Sequence, residues 1–412
     1  LLFGGGFAQL SRLLTMDMIR DRQQISPPPP SAASASVPSR IIVFCLPGIG
    51  DTVLFTPVLA LLRRMFPRAR IVAVTMFRGT EHILSTNPDL DEVRHFDFFN
   101  AKPWESIRYL WRLRQERFDL SIMSFPSNRL EYNCVNWFVG RRWRAAHRYH
   151  RQSWRNLWFL NNITVCETGR HHNVEENLRL LSAIATRLGV PVPPASWDED
   201  RTACLRQYPL KLTLLPEDRE YGERFLVENN LTTTRLLIGM HTWSSTYKNM
   251  ARKCWDKDNF VALIRRLSEA HPQARFLLVT GPSDEEVNRY IAERSDHRVV
   301  LVREANLRRA VAILSHCGVF VSNDSGVMHL AAAARVPVVA LFGPTDWWRL
   351  HPWSERHLVV SRKLPCSPCF YYSSRALRCV ANLDYACMRE ITVEEVFQNV
   401  QRLLSAESPP PP

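Results

Sequence analysis

The sequence predicts an α/β protein made of two successive doubly wound halves, and three observations carry the prediction. Short apolar runs of buried-strand type alternate with segments of helical periodicity. The alternation runs twice, on either side of an interval rich in proline and charge from Val190 to Glu220. A length of 412 residues is too great for one ordinary core and comfortable for two. Strand, helix, strand alternation selects parallel sheets with helical crossovers. Each half is therefore expected to be Rossmann-like, with ligands at the carboxyl ends of its strands and the two sheets facing a central cleft.

The first half opens at Arg40. Ile41–Leu46 has the apolar run of a strand, followed by a glycine turn. A helix is expected from Val53 to Met65, with Leu54, Val58, Leu61, Leu62 and Met65 on one face and Thr56-Pro57 as N-cap and first helical position. Strands follow at 70–75 and 119–124. A stretch rich in Trp and Arg runs from Asn136 to Asn162, and Leu178–Leu188 is a helix ended by Gly189. In the second half, strands are expected at 236–241, 274–281, 297–302, 319–323 and 336–343. The helices between them are 258–269, 284–294, a segment from the cap Asn306 to His316, and 327–334. These elements assign residues 40–205 to a first domain and 206–405 to a second. Residues 1–39 combine 15 residues ahead of Met16 with a Pro/Ser/Ala tract, and lack the basic start of a signal peptide. They are expected to form a disordered leader, and 406–412 a disordered tail.

Hydrophobic residues make up 46% and charged residues 23% of the chain, a globular balance. No uninterrupted apolar run approaches the roughly 18 residues that a membrane span needs. The net charge of +13 favours acidic partners: phosphates, an anionic membrane surface or nucleic acid. Ten cysteines in a chain of this length are too sparse for a disulfide scaffold and suit a reducing cytosol.

Four segments carry candidate chemistry. Gly48-Ile49-Gly50-Asp51 joins strand to helix, with glycines for a tight turn and close ligand approach; it lacks both the third glycine of a dinucleotide fingerprint and the Gly-Lys-Ser/Thr of a P-loop. Asp51 is either a helix cap or a general base. In Ser322-Asn323-Asp324-Ser325-Gly326-Val327-Met328-His329 a strand ends in polar residues and a helix begins at once. Its unpaired N–H groups and positive dipole end offer a diphosphate site at Ser325 and Gly326, with Asp324 and His329 beside it. The alternative is an ordinary Asp N-cap with a core histidine. Gly343-Pro344-Thr345-Asp346 points its loop at the same sheet edge. Lys253-Cys254-Trp255 follows the polar loop containing Thr242 and Ser244, and its lysine would neutralise a leaving diphosphate.

The segments 41–71 and 321–346, with the Lys-x-Trp element, resemble the signatures of glycosyltransferase family 9, the lipopolysaccharide heptosyltransferases, in the family's order. The resemblance spans about residues 40–405. It implies a GT-B fold and an inverting, metal-independent glycosyltransferase with an acceptor-binding first domain and a donor-binding second domain. Carried over residue by residue, it makes Asp51 the base, with Gly48 and Gly50 in the acceptor loop. Lys253, Ser325 and Gly326, with Thr242 and Ser244, become diphosphate contacts. Asp324 and His329 lie beside the donor sugar, and Thr280, Gly281, Asp284 and Glu285 are candidates for sugar or nucleotide contacts. The donor is expected to be an ADP-linked heptose, with no separate cofactor. The acceptor is expected to be a lipopolysaccharide core or related glycan at the inner face of the cytoplasmic membrane. Two other classes remain: a GT-B enzyme using another nucleotide sugar, an epimerase included, and a non-enzymatic protein binding anionic glycan or nucleic acid.

Other patterns are weaker. Asp-x-Asp occurs at Asp89/Asp91, Asp198/Asp200 and Asp256/Asp258, in unrelated contexts, which shows how cheap that metal motif is. Cys366-x-x-Cys369 followed by Cys379 and Cys387 leaves zinc, a disulfide or free structural thiols open. Arg141, Arg142, Arg144, Arg148, Arg151 and Arg155 among Trp137, Trp143, Trp154 and Trp158 suit either a membrane or glycolipid contact or a basic solvated helix; nucleic acid fits least.

Overall fold

The computed structural model describes residues 37–149, 155–191, 201–245, 247–370 and 375–405. Residues 1–36 of the expected leader, the 406–412 tail, Arg151, Trp154, Asp198 and Asp200 lie outside the described residues. The chain divides into two compact units, Leu1–Asp198 and Glu199–Pro412.

The first unit runs β1 (Arg40–Cys45), α1 (Ile49–Met65), β2 (Arg70–Thr75), α2 (Arg78–Leu84), β3 (Glu92–His95), α3 (Pro103–Gln115), β4 (Leu120–Met123), α4 (Leu130–Val139), β5 (Trp143–Arg148), β6 (Ile163–Cys166) and α5 (Asn173–Leu188). Its sheet has the order β3-β2-β1-β4-β5-β6, with every pairing parallel. Ile41 stands in register with Ile71 on one side and Leu120 on the other. The second unit runs α6 (Arg201–Gln207), α7 (Pro216–Glu228), β7 (Leu236–His241), α8 (Lys257–Ala270), β8 (Ala274–Val279), α9 (Glu285–Glu293), β9 (Val299–Val302), α10 (Leu307–Leu314), β10 (Val319–Asn323), α11 (Gly326–Ala333), β11 (Val338–Phe342), α12 (Trp347–Leu350), β12 (His357–Ser361), α13 (Ala386–Arg389) and α14 (Val393–Ser405). The order β12-β11-β10-β7-β8-β9 repeats the topology of the first sheet, with β7 in the place of β1 and β10 in the place of β4. This is the doubly wound order in which strand direction of travel reverses between the first and fourth strands, and the ends of that pair form the binding position. Two such units in one chain are the α/β, GT-B plan expected from the sequence.

The period-two alternation of strands divides each second-unit strand between two helical layers. Ile238, Met240, Val319, Val321, Val339 and Leu341 enter one apolar cluster. Leu237, Phe320, Val338, Ala340 and Phe342 enter the other. Full burial of each large side chain contributes roughly 1.5–3 kcal/mol, so a strand covered on both faces needs the unbroken apolar run that made it legible.

Helix α1 starts at Ile49, four residues before the expected Val53, and Gly48 is its N-cap. Thr56 does not cap it, and Pro57 sits inside it. Proline removes the N–H that the carbonyl four residues earlier would accept. That carbonyl belongs to Val53, and the Thr56 hydroxyl donates to it instead at 2.7 Å. Thr56-Pro57 is thus a repair of the helix interior and not its beginning.

Four strands escaped the sequence reading: β3, β5, β6 and β12. Three are sheet edges, half exposed and short. The fourth, β5, lies within the Arg/Trp stretch. That stretch is not one solvated helix: α4 ends at Val139 and the chain turns through Gly140 into β5. A Cβ on Gly140 would lie 2.0 Å from the Ser121 hydroxyl, so only glycine fits the turn. Trp143 is buried, and Arg144 donates from Nε to the Leu160 carbonyl at 2.9 Å. Part of the basic aromatic signal is therefore internal.

Candidate functional site

In the first unit, the carboxyl end of β1 delivers Asp51 into the first turn of α1, three residues past the N-cap. Asp51 is neither the cap nor on the strand edge. A carboxylate there is favoured by the helix dipole. Gly48 has an ordinary extended conformation, φ −64° and ψ 176°, and a Cβ placed on it would come no closer than 3.8 Å to Asp51. The turn itself therefore does not require glycine at 48; a close ligand approach would. Gly50 lies in the same first helical turn.

Asp51 is met by a residue the sequence reading missed. Asn173, fully buried at the start of α5, donates from Nδ2 to Asp51 Oδ1 at 3.3 Å. The start of α5 is in turn fixed by polar contacts. Its N-cap His172 accepts from the Val174 amide at 3.2 Å, and Glu175 accepts from the His172 amide at 2.6 Å. Asn177 accepts from the Phe125 amide at 2.9 Å. Behind it, fully buried Glu176 accepts from Thr168 Oγ1 at 2.8 Å and from Arg179 at 2.7 Å. Burial alone would raise its pKa, but His171, His147, Thr168 and Arg179 together hold the carboxyl down at about 2. A run of acids and histidines at 171–176 was the signal available in the sequence, hidden by its resemblance to an ordinary helix start.

In the second unit, the polar residues converge where β7 and β10 end side by side. Lys253 donates from Nζ to Asp324 Oδ2 at 2.7 Å, with both side chains largely buried. Burial works against ionisation of Asp324, yet the Lys253 charge and hydrogen bond, aided by Thr345, hold its carboxyl below the usual range. The Lys-x-Trp spacing explains how the lysine gets there. Trp255 is buried against Phe260 with ring centroids 5.0 Å apart. Its amide donates to Asn323 Oδ1 at 2.9 Å, and its indole donates to the Ile391 carbonyl at 2.9 Å. The tryptophan is the anchor, and two residues earlier the lysine is presented to the neighbouring strand end.

Ser325, not Asp324, is the N-cap of α11. Its hydroxyl accepts from the Met328 amide at 3.3 Å and meets His241 Nδ1 at 2.9 Å. Gly326 is the first helical residue. His329, one turn further, is buried with its Nδ1 unpartnered among the described residues. Desolvation pushes its pKa down to about 4, against the pull of Asp324, so it is neutral at pH 7. His241 is held down at about 4 by burial and by Lys253. The lysine is thus the cation of this cluster, and both histidines are neutral hydrogen-bonding groups.

A second knot joins the ends of β7 and β8. Asn288, also missed from the sequence, accepts from the Thr242 hydroxyl and donates to Thr280 Oγ1 at 3.0 Å. Asp284 accepts from the Gly281 amide at 2.6 Å, and its burial raises its pKa to about 6. His241 Nε2 stands 3.8 Å from Asp284, which links this knot to Ser325. Thr242, Thr280, Gly281 and Asp284 are therefore brought together. Glu285 turns outward to pair with Arg303 at 2.7 Å. Ser244 lies in the irregular loop, with its backbone near the Cys254 thiol. The Gly-Pro-Thr-Asp loop places Thr345 beside Asp324, while Asp346 caps α12 by accepting from the Trp348 amide at 3.1 Å. Under this loop, a Cβ on Gly343 would lie 2.4 Å from the Met388 sulfur.

The weaker motifs are used structurally. Asp91 pairs with Arg63 at 2.6 Å, Asp256 caps α8, and Asp258 accepts from Tyr290 at 2.7 Å. Cys366, Cys369, Cys379 and Cys387 are free thiols. Among the described residues no three or more His, Cys, Asp or Glu side chains form a group suited to a metal ion.

The family model of glycosyltransferase family 9 (heptosyltransferase) matches residues 107–379. Lipopolysaccharide heptosyltransferase 3 of Escherichia coli is 27% identical over 324 residues, 74% of this chain and 84% of that protein. The glycosyl transferase family 9 structure from Veillonella parvula superposes with a TM-score of 0.67 at 21% identity, covering 90% of this chain and 98% of that one. The structure of the E. coli ADP-heptose lps heptosyltransferase II gives a TM-score of 0.65 at 20% identity, covering 89% and 98%. With two units of the same doubly wound order and a match over well over half its length, the chain belongs to glycosyltransferase family 9 and is a glycosyltransferase.

Proposed function

We propose that this glycosyltransferase moves a heptose from ADP-heptose onto a lipopolysaccharide core or related glycan, with inversion and without a metal, at the inner face of the cytoplasmic membrane. The observation that carries the reading is the buried Lys253–Asp324 pair beside the start of α11. An ammonium fixed at a strand end, next to the N-terminus of a helix, is suited to a diphosphate. Asp324 holds the lysine in place before the ligand arrives, so little reorganisation is needed. The donor identity is supported by the relatives above, whose names specify heptosyl transfer and, in one case, ADP-heptose.

Asp51 accepts the proton of an acceptor hydroxyl. That oxygen forms a bond to the anomeric carbon from the face opposite the diphosphate. The bond from the anomeric carbon to the diphosphate oxygen breaks, and ADP leaves with the electron pair. Lys253 and the amides at the start of α11 stabilise its charge, which is the role a metal would otherwise fill. Asn173 orients the Asp51 carboxylate. Neutral His329, whose Nδ1 has no partner among the described residues, is assigned to hydrogen-bond the donor sugar. Thr242, Thr280, Gly281 and Asp284 are assigned to the nucleotide side, with Ser244 and Glu285 as outer candidates.

A thermal-shift panel of ADP, UDP, GDP and dTDP tests the donor. A nucleotide at a hundred times its Kd adds about 2.7 kcal/mol of apparent stability. Stabilisation by ADP alone, abolished in Lys253→Ala, is expected. Stabilisation by a different nucleotide overturns the ADP assignment and leaves the fold and reaction class in place. Activity retained in the presence of a chelator is the matching expectation for the metal-independent step.

A further inference from the structure

Helix α3 has two apolar faces. Ser106, Leu110 and Leu113 are buried and point into the first unit. On the opposite side Trp104 is 56% exposed, Trp111 53% and Ile107 38%. Spacings of three, four and seven residues align these three side chains along one face. Arg108 and Arg112 flank the same stripe and are exposed. The one acidic residue of the helix, Glu105, is engaged with the Lys102 amide at 2.7 Å. Trp111 approaches Phe138 of α4, with ring centroids 6.1 Å apart, and Arg114 lies 5.0 Å over that same ring. The apolar stripe is therefore bordered by cations and continues onto a second helix.

Two exposed tryptophans a helical repeat apart are unusual on a water-facing surface. Indole rings favour the boundary between headgroups and acyl chains, and long arginine side chains reach from that depth to phosphate. We infer that this face of α3 docks the protein on an anionic phospholipid bilayer, with Trp104, Ile107 and Trp111 inserted at the interface and Arg108 and Arg112 on lipid phosphates. The inference deepens the membrane-side location proposed above, but it uses no donor or acceptor chemistry. It also moves the membrane contact from the Arg/Trp stretch of 137–159, whose Trp143 is internal, to a helix ahead of it.

Sedimentation of the full chain with vesicles tests it, comparing pure phosphatidylcholine with vesicles containing one third phosphatidylglycerol. The wild type is expected to bind the anionic vesicles, more weakly as salt rises. W104S/W111S is expected to lose most of that binding with an unchanged melting temperature. With about 1 kcal/mol per basic residue near such a surface, R108Q/R112Q is expected to bind about thirtyfold more weakly. Equal binding of wild type and both variants overturns the inference, as does equal binding to neutral vesicles. A concentration-dependent dimer that W104S/W111S abolishes, without any vesicle binding by the wild type, would assign the face to a second copy and also overturns it. Because no sugar is transferred in this assay, its failure leaves the proposed reaction intact, and a wrong donor leaves the docking result intact.

Discussion

The two units share one strand order, yet each meets a carboxylate that follows a central strand with a different partner. Asp51, just after the first strand of unit one, is met by the neutral amide of Asn173. Asp324, just after the fourth strand of unit two, is met by the ammonium of Lys253. A buried carboxylate against a lysine stays ionised, because protonation would leave the ammonium uncompensated. In the proposed reaction the same scaffold supplies a proton acceptor in one unit and a fixed phosphate anchor in the other.

The largest expected effect breaks the first half of this comparison. Asp51→Asn should lower kcat roughly a thousandfold while ADP binding, read by calorimetry, stays unchanged. A variant that turns over at the wild-type rate removes Asp51 as the base. Lys253→Ala breaks the second half. It strands a buried carboxylate and should cost about 3–5 kcal/mol of stability in denaturant melts, together with donor binding. Adding Asp324→Asn should recover most of the stability and none of the binding. Recovery of both would mean that the pair is structural only.

The acid response sharpens the contrast. Glu176, in unit one, has its pKa lowered from 4.5 to about 2. Its stabilisation, about 3 kcal/mol at neutral pH, is therefore complete above pH 4.5 and is lost as the pH falls towards 2. Asp284, in unit two, is shifted the other way, from 3.8 to about 6. Its folded state keeps a proton that the unfolded chain gives up, so its contribution improves as the pH falls through 6 towards 3.8. Glu176→Gln should flatten the acid limb of unfolding, and Asp284→Asn the mildly acidic one. Asn173→Ala, which removes a hydrogen bond to a charged group, should cost about tenfold in kcat. It should also shift the kinetic pKa of the base, which a purely structural loss would leave in place. The smallest effect is expected at Glu285→Gln: its carboxylate faces Arg303 on the surface, and ADP affinity should stay within about twofold of wild type.

The central strands and the order of the halves were legible because strands buried on both faces must be continuously apolar. The edge strands β3, β6 and β12 were not, since an edge exposes one side and tolerates charge. Asp51, Lys253, Asp324, Ser325 and His329 could be picked out as residue types in the segments that follow strands. Their partners could not. Asn173 lies 122 positions from Asp51, and Asn288 lies 46 from Thr242; nothing local distinguishes either from an ordinary helix residue.

By itself the sequence determined the two doubly wound halves, their family signatures and the strand ends that carry polar chemistry, because burial periodicity and turn chemistry are local. Only the tertiary structure decided that Ser325 caps α11 while Asp324 is locked to a lysine, that Thr56 repairs the helix at Pro57, and that Trp143 is internal while Trp104 and Trp111 are exposed. Which charge meets which, and which face of a helix meets water, depends on residues far away in the chain, and these contacts exist only once the sheets have formed.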